Sequence, residues 1–153
     1  MIYTDETWAI NWAKAEKALT QAQFLHDAGM FDGAYTLALG SCLQAAKAIS
    51  LRLRGERDYS DYLPRLRQCF KDGRLPDTLA HPFSEIMKAH AIDLTTSRER
   101  DAEASAGVIQ LAGTFQHAIR SASDLTASHY SPAVMQAAAA RRVRMPPTPF
   151  KVT

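Results

Sequence analysis

Apolar residues recur along this chain at spacings of three and four, which places them on one side of an α-helix. From Glu6 to Ala28, Trp8, Trp12, Ala15, Leu19 and Ala22 draw one stripe, while Lys14, Glu16 and Lys17 fall away from it toward water. Gly29 can close that helix in a left-handed cap, and Asp32 can accept hydrogen bonds from the free amides of the next one, so a tight antiparallel hairpin is expected. The second helix is predicted from Gly33 to Arg54, with Leu37, Ser41 or Cys42, Ala45, Ile49 and Leu53 on its stripe. Ala34, Ala38, Ala46 and Ala48 keep its flanks thin, which predicts a central helix covered on more than one side. Gly40 interrupts it at a cost of about 1 kcal/mol relative to alanine. That cost suggests a packing reason, the admission of a large side chain such as Trp8 or Trp12.

After a polar break, Asp61 is a candidate cap for a short helix with Pro64 in its first turn, where the missing amide costs little. Leu63, Leu66, Cys69 and Phe70 form its apolar side, and Gly73 ends it. Leu79, Phe83, Ile86, Met87, Ala89 and Ala91 follow at mostly helical spacing. Pro82 among them marks a helix start, so two shorter helices or one irregular helix are expected there. The last long helix is predicted from Ser97, its N-cap candidate, to Thr126. Ala104, Val108, Leu111, Phe115, Ala118 and Ala122 form its stripe, and Gly107 and Gly113 fit a close-packed face. Beyond it, "SPAVMQAAAARRV" reads as one more short helix and "MPPTPFKVT" as extended, because proline cannot continue a bundle.

A length of 153 residues with 46% hydrophobic content suits one core-forming domain, a bundle over 1–128, followed by a short helix and a proline-rich basic tail over 129–153. Cys42 and Cys69 form neither a CxxC nor a zinc pattern and read as buried reduced thiols. A net charge of +2 does not by itself point to nucleic acid. The basic residues of the tail, Arg141, Arg142 and Arg144, stand without acids and can meet phosphate or an acidic partner. No run is long and apolar enough for a membrane span, and the first residues carry acids and no cleavage pattern, so a cytoplasmic protein without membrane attachment is expected.

The order of these pieces is itself informative. A long helix, a Gly-Met-Phe-Asp turn, a second helix ending "AAKAISLRLRG", then "CFKDGRLPDTL" and "SRERDAEASAGVIQLAGTFQHAI" together resemble the HEPN helical-domain families of prokaryotes, over roughly Trp8 to Ala122. The resemblance implies an all-α, up-and-down bundle of four main helices with additional short ones, commonly dimeric. It also implies kinship with RNase toxins that pair with nucleotidyltransferase-like antitoxins, and with nucleotide- or RNA-binding members. Family RNases use an arginine and a histidine brought together across a dimer. Aligning "LQAAKAIS" with the family's second-helix motif puts Leu37 at the arginine position and Gln44 at the histidine position. Thr36 then takes the polar neighbour's place, and Leu39 and Gly40 stand for two tyrosines. Leucine cannot stabilise a pentavalent phosphate, and glutamine is no acid or base near neutral pH.

Other candidates are sparse. Arg74 and His81 satisfy the family's arginine-to-histidine spacing but flank Pro76, on a loop and a helix start. Arg98 and Arg100, with Asp101, retain the charge of the family's late motif without its tyrosine and can contact phosphate or a partner carboxylate. His26, His90, His117 and His129 are isolated, no metal-ligand set or Gly-rich phosphate loop occurs, and no cofactor is expected. His90 and Asp93 can share a helix face as an ordinary polar contact. The reading is a noncatalytic HEPN-like interaction or binding module related to toxin–antitoxin or defence systems, a homodimer with an operon-encoded protein partner. The alternatives are a metal-independent RNase acting on single-stranded RNA and a small-molecule or nucleotide-binding bundle.

Overall fold

The computed structural model describes residues 5–54, 62–73, 75–95 and 99–122, in which the apolar stripes close into α1 (Asp5–Asp27), α2 (Phe31–Arg54), α3 (Tyr62–Lys71), α4 (Asp77–Thr95) and α5 (Ala102–Ser121). Four long helices and the short α3 make an all-α up-and-down bundle, the architecture that the resemblance implies. The α1–α2 hairpin turns at Gly29, whose φ of 78° is a left-handed value that glycine adopts without penalty. Its amide donates to His26 O at 3.0 Å, and the amide of Met30 donates to Leu25 O at 2.8 Å, capping the last carbonyls of α1.

The second helix begins at Phe31, two residues earlier than expected. Asp32 therefore lies in its first turn and not ahead of it. Its carboxylate is used elsewhere, accepting from the backbone amide of Arg100 at 3.1 Å. The hairpin is closest at Gly33, where a Cβ would stand 3.2 Å from Leu25 Cδ1. At Gly40 a Cβ would meet nothing within 4 Å, and the same holds at Gly107 and Gly113. The close-packing account of these three glycines is thus overturned, because no neighbour fills the place where their side chains would be.

Packing is organised around α2. Ala34, Ala38, Ala45, Ala46 and Ala48 are all fully buried within the one chain. The thin flanks of α2 are covered from more than one side, as expected of a central helix. The larger core cluster joins Trp8 and Trp12 of α1 to Cys42 and Ile49 of α2, Leu66 and Cys69 of α3, Leu79, Phe83 and Ile86 of α4, and Phe115 and Ile119 of α5. A smaller one gathers Ala22, Tyr35, Ala38, Leu39 and Val108 nearer the α1–α2 turn. Complete burial of an Ile, Leu or Phe side chain stabilises by about 1.5–3 kcal/mol, so the larger cluster dominates the apolar contribution.

Two further boundaries differ from expectation. The fourth helix is continuous from Asp77, with Pro82 inside it at the sixth position. Pro82 removes one ladder bond there, but Leu79, Phe83 and Ile86 are buried on either side and hold the helix together. The fifth helix starts at Ala102, not near Ser97, because Asp101 is its cap and accepts from the amide of Ala104 at 2.8 Å. It ends at Ser121, with Ala122 in an extended conformation, short of Thr126. Asp61, the expected cap of α3, lies outside the described residues, as do the short helix and tail expected over 129–153; Pro64 sits in the first turn of α3 as predicted.

Because a methyl at Gly40 has free space, Gly40→Ala should stabilise the bundle by about 0.5–1 kcal/mol through helix propensity. A raised midpoint in urea unfolding with an unchanged slope checks this, and a lowered midpoint would restore the close-contact account.

Candidate functional site

The least covered side of α2 carries Thr36, Leu37, Gly40, Leu43, Gln44 and Lys47. Leu37 and Gln44 are seven residues apart and so lie about two turns apart on one face. Leu37 is half-buried and packs against the smaller core cluster. Gln44 is half-buried, with its carboxamide oxygen enclosed and without a hydrogen-bond partner. Farther along, Lys47 Nζ stands 5.4 Å from the centre of the Tyr62 ring. Burial, then the charge of Lys14, lowers the Lys47 pKa, and burial raises that of Tyr62.

A second group of residues gathers at the end of the bundle where the α1–α2 turn meets the α4–α5 connection. The Arg100 guanidinium lies 4.3 Å from the centre of the Tyr35 ring, and its Nη2 is 3.5 Å from Asp93 Oδ1. With the Asp32 bond to its backbone, Arg100 ties α2, α4 and the start of α5 together. His26 shares a 2.9 Å hydrogen bond between its Nδ1 and Ser105 Oγ, and its ring packs on Phe31 at a centroid distance of 5.2 Å. Around this polar framework Phe24, Met30, Ile92 and Leu94 are 72%, 59%, 54% and 73% exposed. Beside it, an open groove of about 360 Å³ runs between α4 and α5, with Arg100, Ile92 and Gly107 in its lining.

Of the candidate phosphate or partner contacts, Arg100 and His81 lie among the described residues, and Arg100 is built into a network; His26, expected to be isolated, is tied to Ser105. His81 is exposed near the start of α4, as expected, and Asp93 pairs with Arg100 rather than with His90. Arg74, Arg98, Arg141, Arg142 and Arg144 lie outside the described residues. Among the described residues, no group of three His, Cys, Asp or Glu side chains is placed to hold a metal ion. None of their helices is long and apolar enough to cross a membrane.

The most buried polar constellation went unrecognised in the sequence. Ser41 Oγ donates to the carbonyl of Ala15 at 2.6 Å, and Gln116 Nε2 donates both to Ser41 Oγ at 2.6 Å and to the same carbonyl at 3.3 Å. The knot joins α1, α2 and α5, and both side chains are almost completely buried. Gln116 Oε1 has no partner. Gln116 also lines a groove of about 440 Å³ between α1 and α5, together with Glu16, Thr20, Ile109, Gly113 and Arg120. Glu16, expected to face water freely, instead accepts from Arg120 Nη2 at 2.6 Å. The signal available in sequence was a glutamine on the buried stripe Val108, Ala112, Gln116, where a polar side chain has to find a partner.

No protein-family model, no curated protein and no solved structure matches the chain.

The knot predicts an asymmetry. Ser41→Ala should destabilise by about 1–3 kcal/mol, since it removes both buried bonds of the hydroxyl and leaves Gln116 with only its longer bond to Ala15. Gln116→Leu should stay within about 1 kcal/mol of the wild type, because it removes the unpartnered oxygen while Ser41 keeps its bond to Ala15. Denaturant unfolding of both variants and of the double variant measures the coupling; equal losses in the two single variants would contradict the network.

Burial pushes the Cys42 thiol up to about 12, against an ordinary value of 9.0. The folded state then keeps its proton after the unfolded chain has lost it. The stability this contributes is full below pH 9 and declines as pH rises from about 9 toward 12. Replacing Cys42 by Ala should flatten part of that decline in unfolding measured across this window, and an unaltered pH profile would count against the buried thiol as its source.

Proposed function

We propose that this chain is a noncatalytic helical interaction module of HEPN-like type, working with a protein partner encoded beside it. The observation that carries the reading is the exposure of Phe24, Met30, Ile92 and Leu94 at one end of the bundle, around residues fixed in place by Arg100. Large apolar side chains held out in water by a rigid framework favour a partner's surface, because burying each removes apolar area from solvent at about 25 cal/mol per Å². The framework also reduces the ordering cost that a loose loop would incur on binding.

The chemistry of α2 supports the noncatalytic half of the reading. At the two positions where the resembled RNases place their reactive pair, Leu37 offers neither charge nor proton, and the Gln44 carboxamide does not titrate near neutral pH. The enclosure of the Gln44 oxygen suits a packing position better than one that must meet a phosphodiester.

Co-expression with the neighbouring gene product, followed by affinity measurement, tests the proposal. A paired Phe24→Ser and Leu94→Ser variant should bind the partner at least about tenfold more weakly, the size of effect expected when interface anchors are lost. Gln44→Ala should bind as the wild type does. Cleavage of single-stranded RNA by the pure wild-type chain, abolished in Gln44→Ala, would overturn the noncatalytic reading. Partner binding indifferent to Phe24 and Leu94 would overturn the placement of the surface.

A further inference from the structure

The charge around the exposed apolar residues Phe24, Met30, Ile92 and Leu94 is one-sided. Asp27 follows Phe24 by one turn on α1, and Glu103, exposed in the first turn of α5, lies two residues before Ser105, the partner of His26. Glu99 and Asp101 flank Arg100 and are exposed, while Asp32 and Asp93 are the carboxylates that Arg100 itself meets. The described cations near them are engaged. Arg100 lies over the Tyr35 ring with Asp93 at 3.5 Å, and Lys88, one turn before Ile92, stands 3.2 Å from Glu85. The whole chain carries a net charge of +2, so the acidity of this end is a local polarity and does not follow from composition.

That polarity selects among the surfaces that could cover the apolar residues. An RNA strand stacking on Phe24 and an anionic membrane taking up all four side chains would each bring negative charge against Asp27, Glu99 and Glu103. Both are repelled. A second copy of the chain meets the same obstacle, because a two-fold contact through this patch sets the same carboxylates against one another. A surface whose apolar side chains are bordered by lysine or arginine meets none of these penalties, since opposite charges at a rim steer encounter and fix register.

We propose that this end of the bundle receives a basic amphipathic segment of the partner protein. Its apolar side chains cover Phe24, Met30, Ile92 and Leu94, and its lysines or arginines face Asp27, Glu99 and Glu103. The proposal rests on the reading of this end as the partner surface and adds the chemistry of what that surface takes. Asp27, Glu99 and Glu103 are available for it, because the tie to the Arg100 amide belongs to Asp32, the ion pair to Asp93 and the α5 cap to Asp101. The Arg100 framework holds the acids and the apolar residues on the same three helix ends, so the charge pattern is fixed before a partner arrives.

Two probes test it on the full chain: the co-expressed neighbouring gene product, and a pair of synthetic helical peptides, one of leucine and lysine and one of leucine and glutamate, matched in length and leucine positions. The triple variant Asp27→Asn, Glu99→Gln and Glu103→Gln removes charge and leaves the Arg100 ties and the Asp101 cap in place. With the gene product it should associate at least about fivefold more slowly at low salt, with a weaker salt dependence and a dissociation rate within about twofold of the wild type, because rim charges act on encounter. Phe24→Ser with Leu94→Ser should instead speed dissociation. The lysine peptide should bind the wild type at least about tenfold more tightly than the glutamate peptide at low salt, and the triple variant should lose most of that preference. This second arm does not depend on which gene product the partner is. A complex weakened by Phe24→Ser with Leu94→Ser but indifferent to the triple variant would overturn the basic segment and leave the partner surface standing, whereas indifference to both would remove the surface as well. Equal binding of the two peptides, binding of the chain to vesicles of anionic lipid, or a dimer in light scattering that Phe24→Ser with Leu94→Ser dissolves would each overturn the proposal.

Discussion

The carbonyl of Ala15 is the point to which three helices are tied. It sits in the middle of α1, where its ladder bond leaves a second lone pair free, and it receives a hydroxyl from α2 and a carboxamide from α5. For Ser41 to reach a backbone oxygen across a helix interface at 2.6 Å, the two backbones must lie close. Ala15 on one side and Ala38 and Ala45 on the other, all fully buried, make that approach feasible. The small residues of α2 are therefore explained from within the chain. An apolar face alone tolerates sliding by a turn with modest loss of area. The knot does not, since leaving its buried polar groups unpaired costs about 1–3 kcal/mol each.

Three long helices were legible because their stripes are periodic and their buried residues are large. Trp8, Trp12, Ile49, Phe115 and Ile119 fall inside as spaced, and the left-handed turn at Gly29 follows from glycine where a helix must stop. What could not be read is what depends on a distant neighbour. Ser97 and Asp101 are both acceptable caps; Arg100 decides between them, because its amide binds Asp32 and its guanidinium covers Tyr35, which fixes the chain just before Ala102. Pro82 signals a break locally, yet the burial of its neighbours overrides it. A glycine inside an apolar helix has the same sequence signature whether it admits a neighbour or merely tolerates space. Gly33 and Gly40 are the two cases side by side.

The site residues divide along the same line. Leu37 and Gln44 could be placed on one α2 face from spacing alone, and they are there, but their degree of enclosure is a property of the packing. Arg100 was singled out for its charge. Its role in the fold is as much geometric, since one residue contributes an amide to α2, a cation to an aromatic face and an ion pair to α4. The Arg100 charge so committed is less available to a ligand than the sequence suggests.

The groove between α1 and α5 has a physical reason to persist. A gap lined only by apolar side chains closes by small shifts of its walls, because dispersion contacts are gained at every step. Here the walls are spaced by polar ties whose lengths are fixed within a few tenths of an ångström, at Glu16 with Arg120, at Ala15 with Gln116 and at His26 with Ser105. Closing the gap at Gly113 would require one of these to lengthen or break. The exposed ion pair contributes little by itself, and the enclosed bond of Gln116 contributes more, so the buried knot is the main spacer. The same contact that sets the register of the bundle thus also holds the groove between α1 and α5 open.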